Sequence, residues 1–481
     1  MNVRATVAET AKAPADEAVG QRVAALVARA REAQRAFEFA GQVALDTAAA
    51  AAAWAIMEPS RNRQLAELSV RDTGLGNVDD KFRKNWRKTL GLLRDLKGQK
   101  TCGVIASDPA KGIIEIARAV GVVAAVTPST NPAATPANKI INALKCGNAV
   151  IVAPSPKGHS SCELLISFIH AEFAKAGLDP ALVQCLPAPI SKAATGALMQ
   201  QADLVVATGS QSNVRMAYAS GTPAFGVGAG NVASIVERSA DLHDAAQKIA
   251  LSKAFDNATS CSSENSVVIE DAVYDEMLSQ LRSCGGALLD PAQKVQLQAV
   301  MWSGGKLSEH CTAKSAAQIA QAAGLEEVAG QGPRFLMVEE TGFGADYPFS
   351  GEKLSPVLTV YRARDFADAA DVIRRIYAYM GAGHSVGLHT ARTDFAVELG
   401  ERLPVARVIV NQAHCLATGG NFDNGLPFSL SMGCGTWGRN NFSGNLDFHH
   451  YLNVTRVAYP IAEEMPEVDA LLGDYFGRVG R

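Results

Sequence analysis

The sequence contains nine cysteines but no Cys-x-x-Cys pair, so it lacks the spacing of zinc ribbons, thioredoxin-type redox motifs and disulfide scaffolds. An odd number of cysteines without a pattern is typical of reduced thiols, and we therefore expect a cytoplasmic protein. The N-terminal segment also lacks the apolar core of a signal peptide, which favours the same compartment.

Long apolar runs and basic clusters are missing as well. No segment reaches the roughly 20 apolar residues that span a bilayer, so we predict no membrane partner. The formal net charge is −3, and no Lys/Arg run is interleaved with aromatic residues, so we predict no nucleic-acid partner. His449 and His450 lie near Asp447, but adjacent strand residues point to opposite faces and no further ligand completes a site, so we predict no metal.

The chain is long and apolar enough for two or three domains. Of its 481 residues 48% are hydrophobic and 19% charged, as in a folded globular enzyme. Apolar residues at helical spacing predict amphipathic helices over 16–57, and two runs around a DPAK turn predict a hairpin over 101–118. Uniformly apolar strands then alternate with helices, which predicts a parallel sheet in an α/β fold. The predicted strands are 121–126, 148–154 and 203–209, and the helices between them include 136–145 and 160–176.

A second unit begins near residue 237. It contains a predicted strand at 265–270, a helix near 272–283 and further strands around 335–338 and 356–361. The Gly-rich segment 419–446 is too irregular for core scaffold, and it is either backbone close to a ligand or a plain structural loop.

Cys261 lies in the run 255-FDNATSCSSENSVVIE-270, among small polar residues just before a β-branched strand. A thiol on a loop that leads into a strand can be held rigidly and still be reached by a substrate, as a nucleophile requires. An inert packing cysteine would give the same local pattern.

Several motifs occur in a fixed order around this cysteine. They are VTPSTNP at 126–132, GNAVIVAPSPKG at 147–158, ATGS at 207–210, GVGAGN at 226–231 and GEKLSPVLTV at 351–360. Together they resemble the aldehyde dehydrogenase superfamily, and more closely its acylating, coenzyme A-dependent branch.

The resemblance implies an aldehyde dehydrogenase-like α/β fold with a Rossmann-type cofactor domain, an α/β catalytic domain and a β oligomerisation arm. We expect helices and the cofactor domain in 1–236, with the hairpin 101–118 in the arm. The catalytic domain is expected in 237–425, and 426–481 is expected to return to the cofactor domain and form the oligomerisation segment. It also implies a homodimer or homotetramer, because the hairpin and the strand-like run 452–461 have faces that one chain does not cover.

For the chemistry, the resemblance makes Cys261 the nucleophile. Hydride leaves well only from a tetrahedral adduct, so the thiol adds to the aldehyde first and ends as an acyl thioester. The oxyanion of the adduct needs preformed donors, and the resemblance offers the backbone N–H of Cys261 with either Asn131 or Thr130. The sequence leaves the choice between these two open.

The cofactor is expected to be NADP or NAD. The loop 153–161 has no acidic residue against a 2′-phosphate, so we predict that NADP is tolerated or preferred. The residues that the resemblance assigns to the cofactor are Thr127, Pro128, Ser129, Ser155, Lys157, Gly209, Ser210 and Glu352.

Residues 226–231 indicate how the acyl group leaves. Hydrolytic relatives carry a water-activating glutamate in this motif, whereas this chain has only Gly, Val, Ala and Asn there. We therefore expect coenzyme A as co-substrate, because a thiol is partly ionised at neutral pH whereas water is not. A hydrolytic enzyme and a cysteine acyltransferase without redox chemistry are the alternatives.

The substrate is expected to be a small aldehyde or its acyl-CoA. The segment 422–438 most resembles acylating enzymes that act on sulfoacetaldehyde, and acetaldehyde enzymes share part of the pattern. A sulfonate is a permanent anion and needs cationic or N–H donors near the thiol. Arg439 and Arg215 are the candidates. The alternative role of either arginine is to hold a subunit contact or a coenzyme A phosphate.

Overall fold

The computed structural model of the chain describes residues 14–228 and 230–481. Residues 1–13 of the first predicted domain, and Ala229 in the motif 226–231, lie outside the described residues. The helices are α1 (Pro14–Phe37), α2 (Gln42–Met57), α3 (Pro59–Thr73), α4 (Val78–Leu96), α5 (Ala134–Lys145), α6 (His159–Ala176), α7 (Lys192–Gln201), α8 (Gln211–Tyr218), α9 (Leu242–Ala254), α10 (Tyr274–Ser283), α11 (Pro291–Met301), α12 (Ala316–Ala322), α13 (Glu326–Gly330), α14 (Phe366–Tyr379), α15 (Asp394–Arg402), α16 (His414–Ala417) and α17 (Val468–Val479). The strands are β1 (Gly103–Asp108), β2 (Ile113–Ala119), β3 (Val122–Thr127), β4 (Ala149–Pro154), β5 (Val183–Cys185), β6 (Leu204–Thr208), β7 (Ala224–Val227), β8 (Val232–Val236), β9 (Glu264–Glu270), β10 (Gly286–Leu288), β11 (Trp302–Ser303), β12 (Lys306–Leu307), β13 (Phe335–Glu339), β14 (Val357–Ala363), β15 (Val386–His389), β16 (Val408–Val410) and β17 (Leu452–Ala458).

A parallel five-stranded sheet forms the first body of the fold, in the order β5-β4-β3-β6-β7. Strands β3 and β4 are buried along their whole length, as the absence of polar alternation in the sequence predicts. The predicted strands 121–126, 148–154 and 203–209 therefore match β3, β4 and β6 to within a residue. In such sheets the carboxyl ends of the strands meet at one edge, where ligands bind.

A second, seven-stranded parallel sheet has the order β10-β13-β14-β9-β8-β15-β16. Strand β8 pairs with β9 and β15 in this sheet although it precedes residue 237. The division of the chain into domains at 236/237 and 425/426 stays a prediction. Strand β9 follows the Cys261 loop directly and is buried throughout, so the cysteine is anchored to the middle of the larger sheet.

The predicted hairpin is present as β1 and β2, which pair antiparallel and continue into β17 to give a separate three-stranded sheet. After 426 the chain returns to the first body, because Phe428, Leu446, Phe448 and Tyr451 belong to the same apolar cluster as β3 and β4. Within the described ranges, no helix combines the length and apolar character needed to cross a membrane.

Candidate active site

The loop that carries Cys261 is held by a buried ion network. Asp256, Asn257 and Ala258 all have positive φ angles, of 50°, 51° and 57°, which non-glycine residues adopt only when their surroundings impose them. The carboxylate of Asp256 accepts from the ammonium groups of Lys81 at 3.1 Å and Lys84 at 2.5 Å, all of them buried. Helix α4 thus fixes the backbone immediately before the thiol.

Cys261 is half-buried and lines a cavity of ≈ 340 Å³ where the strand ends of the two sheets face each other. The cavity brings together most residues that the sequence assigned to catalysis and to the cofactor. These lining residues are Pro128, Ser129, Thr130, Asn131, Gly209, Ser210, Cys261 and Glu352.

Thr127 and Ser155 do not line this cavity and lie at the ends of β3 and β4. Each carries a buried hydroxyl without a hydrogen-bond partner among the described residues, and the N–H of Ser155 donates to the carbonyl of Thr127 at 3.0 Å. Two such hydroxyls at a strand-end edge fit a polar cofactor that would use them. Gly209 has no atom within 3.8 Å of where a Cβ would stand, so the backbone there is open to a close approach.

The other predicted residues lie outside this cavity. The ammonium of Lys157 is exposed and pairs with Glu309 at 2.9 Å. Arg215 on α8 and Arg439 are both exposed, and neither lines the cavity at Cys261. The structure therefore does not bring the two arginines to the thiol.

His384 is the nearest acid-base group to the thiol, with its Nε2 3.6 Å from the Cys261 Sγ. Burial, and after it the Glu352 carboxylate, raises the pKa of Cys261 from 9.0 to about 12. Burial, together with the positive charge of Arg407, lowers the pKa of His384 to about 3. Both groups are thus neutral at physiological pH, and Nε2 can accept the thiol proton when Nδ1, 2.7 Å from the Ser385 hydroxyl, carries the ring proton.

Sequence reasoning missed His384. It lies in GAGHSVGLHT just before β15, at the amino end of a buried strand far along the chain from Cys261. A histidine at a strand start was the one available signal, and it is common in protein cores.

Gly230 explains why the motif 226–231 is glycine-rich next to the thiol. A Cβ at this position would stand 2.5 Å from the carbonyl oxygen of Cys261 and 3.0 Å from Cδ2 of His384. The N–H of Gly230 donates to the Glu352 carboxyl at 3.3 Å, and burial raises the pKa of Glu352 to about 8. The motif itself contains no carboxylate, but the structure places this one in the same cavity.

Asn131 and Thr130 both line the cavity, but their side chains are held differently. The Asn131 Oδ1 accepts from the Lys84 ammonium at 2.8 Å, which leaves the Nδ2 donor of Asn131 without a partner among the described residues. Lys81 instead donates to the backbone carbonyl of Thr130. Asn131 therefore presents an oriented donor next to the thiol.

A second, narrow cavity of ≈ 30 Å³ adjoins the first and has room for about two water molecules. Ser260 and Ser262 flank the cysteine and line this cavity, and Asn131 lines both cavities. Three cations of helix α4 reach the narrow cavity, namely Lys84, Arg87 and Lys88. The sequence analysis did not identify them, because a charged helix face usually points to solvent.

Acidic groups surround the loop that was predicted to receive a 2′-phosphate. Besides Glu309 on Lys157, Asp72 accepts from the Ser160 hydroxyl, and Glu163 lies 3.3 Å from His159. Two of these three acids come from distant parts of the sequence. The charge of this loop is therefore less positive than its own sequence indicates.

A thiol in contact with an imidazole, in a cavity that also contains an amide donor and lies at the strand ends of a parallel sheet, is typical of α/β enzymes that use a cysteine. The Aldehyde dehydrogenase family model matches residues 2–293. The chain belongs to this family, as the sequence motifs predict.

Three known proteins illustrate the relationship. The chain is 70% identical over 465 residues to the sulfoacetaldehyde dehydrogenase (acylating) of Cupriavidus necator, with 97% of this chain and 94% of that protein aligned. It is 40% identical to a sulfoacetaldehyde dehydrogenase of an Acholeplasma species, with 94% of each chain aligned. The crystal structure of an acetylating aldehyde dehydrogenase of Geobacillus thermoglucosidasius superposes with a TM-score of 0.90 at 32% identity, over 95% of this chain and 100% of that one. The predicted fold class is thereby confirmed.

Proposed function

We propose that the protein is a CoA-acylating aldehyde dehydrogenase that interconverts sulfoacetaldehyde plus coenzyme A with sulfoacetyl-CoA. The observation that carries the proposal is the position of Cys261 in the strand-end cavity, next to a neutral imidazole and an oriented amide donor. The near full-length similarity to acylating sulfoacetaldehyde dehydrogenases supports the substrate.

The residues around the thiol supply a nucleophile, a proton acceptor and oxyanion donors for thiohemiacetal formation. The Cys261 thiol adds to the aldehyde carbon, and Nε2 of His384, 3.6 Å from Sγ, accepts its proton only as the C–S bond forms, because an imidazole with a pKa of about 3 does not deprotonate a free thiol with a pKa of about 12. Nδ2 of Asn131 and the N–H of Cys261 hold the resulting oxyanion, with Lys84 keeping the amide in that orientation. We assign this role to Asn131 rather than to Thr130.

NADP or NAD bound along the strand ends would supply the hydride acceptor that the adduct needs. The unpartnered hydroxyls of Thr127 and Ser155 and the open backbone at Gly209 support binding there, and we assign Glu352, which lines the cavity, to the nicotinamide ribose. The exposed pairing of Lys157 with Glu309 weakens the charge argument for NADP over NAD.

Coenzyme A rather than water takes the acyl group in this proposal. A water-activating base must be ionised, and Glu352, the carboxyl group in the cavity, has a pKa of about 8 and is mostly protonated at neutral pH. Thiolysis of a thioester needs less assistance, because the attacking thiol ionises more readily than water.

The three-stranded sheet supports a homodimer or homotetramer. Its strand β17 exposes most of its residues, among them Val454, and the following segment exposes Tyr459 and Ile461. We propose that this surface pairs with a second copy of the chain. Sedimentation velocity tests this pairing, and a species with the mass of the monomer would contradict it.

The reaction is tested by following nicotinamide reduction with sulfoacetaldehyde and with acetaldehyde, with and without coenzyme A. We expect CoA-dependent turnover of sulfoacetaldehyde with at least one of NAD and NADP. Turnover without coenzyme A would establish a hydrolytic enzyme, and no redox signal with any aldehyde would leave a non-redox acyltransferase. The Cys261→Ala variant should bind the cofactor but lose turnover, and retained activity would place the nucleophile elsewhere.

A further inference from the structure

The narrow cavity beside Cys261 concentrates positive charge on one face of helix α4. Lys84, Arg87 and Lys88 have the i, i+3, i+4 spacing that places side chains together on a helix. All three line the cavity, and none of the other residues that line it is a carboxylate. The positive charges that line such a cavity are either balanced by carboxylates elsewhere in the protein or available to bind an anion.

The charge of Lys84 is balanced by a carboxylate outside the cavity. Its ammonium contacts the Asp256 carboxylate, and it also donates to Asn131 and to the Thr259 hydroxyl at 3.1 Å. Lys81 shares the same carboxylate, so these two lysines and one aspartate leave one net positive charge. Lys84 is committed to the loop before the thiol and to the oxyanion donor.

Arg87 and Lys88 have no carboxylate within ion-pair distance among the described residues. The ammonium of Lys88 is buried and donates to the carbonyls of Gly419 and Gly420 at 2.8 and 3.2 Å. The guanidinium of Arg87 is half-buried and donates to the carbonyl of Leu416 at 3.4 Å and to the side-chain oxygen of Asn421. Carbonyl oxygens satisfy the donors but leave the charge uncompensated.

Burying a charge without a counterion costs free energy, so a protein that keeps such a charge gains something else from it. Burial, and then the neighbouring charge of Arg87, lowers the pKa of Lys88 to about 7, so Lys88 loses its proton more easily than an exposed lysine does. A bound anion would raise this pKa. The groups that act on Lys88 are Arg87, Lys84, Cys415 and Asp95, and the last of these already accepts from the backbone N–H of Phe428.

The position of the cavity fits a substituent on the carbon next to the aldehyde. Ser262, directly after the nucleophile, lines the narrow cavity, Cys261 lines the larger one, and Ser260 lines both. Asn131, the proposed oxyanion donor, borders both. A two-carbon substrate bound to the thiol therefore extends its second carbon and its substituent toward Arg87 and Lys88. The small volume restricts that substituent to a compact group.

We propose that Arg87 and Lys88 form the sulfonate-binding subsite and determine specificity for the anionic aldehyde. This inference rests on the proposed function. The planar guanidinium of Arg87 can donate two parallel hydrogen bonds to sulfonate oxygens, and the ammonium of Lys88 a third. Arg439 and Arg215, the candidates from the sequence, are exposed and do not reach either cavity.

The test compares the specificity of Arg87→Ala and Lys88→Met with that of the unaltered enzyme. For each, kcat/KM is measured for sulfoacetaldehyde and for acetaldehyde, which has the same carbon chain without the sulfonate. We expect the sulfoacetaldehyde-to-acetaldehyde ratio to fall about 10- to 100-fold, the usual effect of losing a hydrogen bond to a charged group. Arg83→Ala, an exposed arginine on the same helix, is the matched control and should keep the ratio.

Ethanesulfonate provides a second readout that does not depend on turnover. Calorimetric titration should show binding to the unaltered enzyme and to Arg83→Ala, and loss of binding in Arg87→Ala. Binding should weaken as the pH rises above about 7 where Lys88 deprotonates, and Lys88→Met should remove that dependence. This readout also remains informative if Lys88→Met disturbs the loop at Gly419.

The outcomes separate the subsite from the reaction. Equal losses with both aldehydes, or an unchanged ratio in Arg87→Ala, would overturn the subsite while leaving the acylating reaction intact. If none of the aldehydes supports reduction of the nicotinamide cofactor by the unaltered enzyme, the proposed function fails. The subsite is then tested by ethanesulfonate binding alone.

Discussion

The ionisation of Cys261 is the most direct physical test of the site. A pKa of about 12, raised from 9.0, corresponds to roughly 4 kcal/mol in favour of the neutral thiol. At pH 8 only about one thiol in 10⁴ is then ionised, against about one in ten for an unperturbed cysteine. Alkylation of the ligand-free enzyme should therefore be about a thousandfold slower than that of an exposed thiol and should rise about tenfold per pH unit.

Iodoacetamide labelling between pH 6.5 and 9, followed by peptide mapping, measures this rate for Cys261 separately from the other eight cysteines. His384→Ala should leave the labelling profile nearly unchanged, since His384 is neutral and is not among the main causes of the shift in the thiol pKa. Turnover of the same variant should fall about 10²- to 10⁴-fold through loss of the proton acceptor. His243→Ala, which removes an exposed histidine from α9, is the control for both measurements.

A labelling rate that levels off near neutral pH would refute this reasoning. Such a plateau, especially one abolished by His384→Ala, would mean that Cys261 and His384 exist as a thiolate-imidazolium ion pair in the free enzyme. Their burial would then not control their charge.

Two substitutions test the supports of the thiol. Gly230→Ala should lower kcat about 100-fold, because its Cβ would displace Cys261 or His384, whereas Gly425→Ala, with no atom within 4 Å, should not; equal rates would contradict the crowding. Asp256→Asn leaves two buried ammonium groups unpaired and should lower the free energy of unfolding by about 3–5 kcal/mol, measured by chemical denaturation against the exposed Asp79→Asn. Burial raises the pKa of Asp256, but the charges of Lys84 and Lys81 lower it by more, so the pKa in the folded protein lies below 3.8. The stabilisation that Asp256 gives the fold is therefore present above pH 3.8 and is lost as the pH falls through the folded-state pKa.

The strands of the first sheet could be predicted because burial on both faces leaves a direct mark on sequence. Strands β3, β4 and β6 are uniformly apolar, and each is followed by turn residues. Cys261 could be proposed as the nucleophile because it lies in a local pattern and in an ordered set of motifs. Both features depend on residues that are close in the chain.

The rest of the site depends on residues that are far apart. His384 is 123 positions from Cys261, and Lys84 is 47 positions from Asn131. The lysines and arginine of α4 follow the usual pattern of a solvated helix face, and only the packing of the 415–432 segment against that face turns it into a cavity wall. Asp72 and Glu309 likewise reach the cofactor loop from other elements, so the charge of that loop could not be predicted from its own sequence.

Helix α4 connects these proposals, because its cations would serve the reaction at two points. Lys84 holds the amide that we propose for the oxyanion and pairs with the aspartate that holds the Cys261 loop. One turn further on, Arg87 and Lys88 face the cavity beyond the thiol without a counterion. A sulfonate bound there would place its own negative charge near the site of oxyanion formation, where it would oppose the adduct. The compensating charges must therefore be on the enzyme before the substrate arrives, which gives a reason for burying Lys88 at a cost in stability.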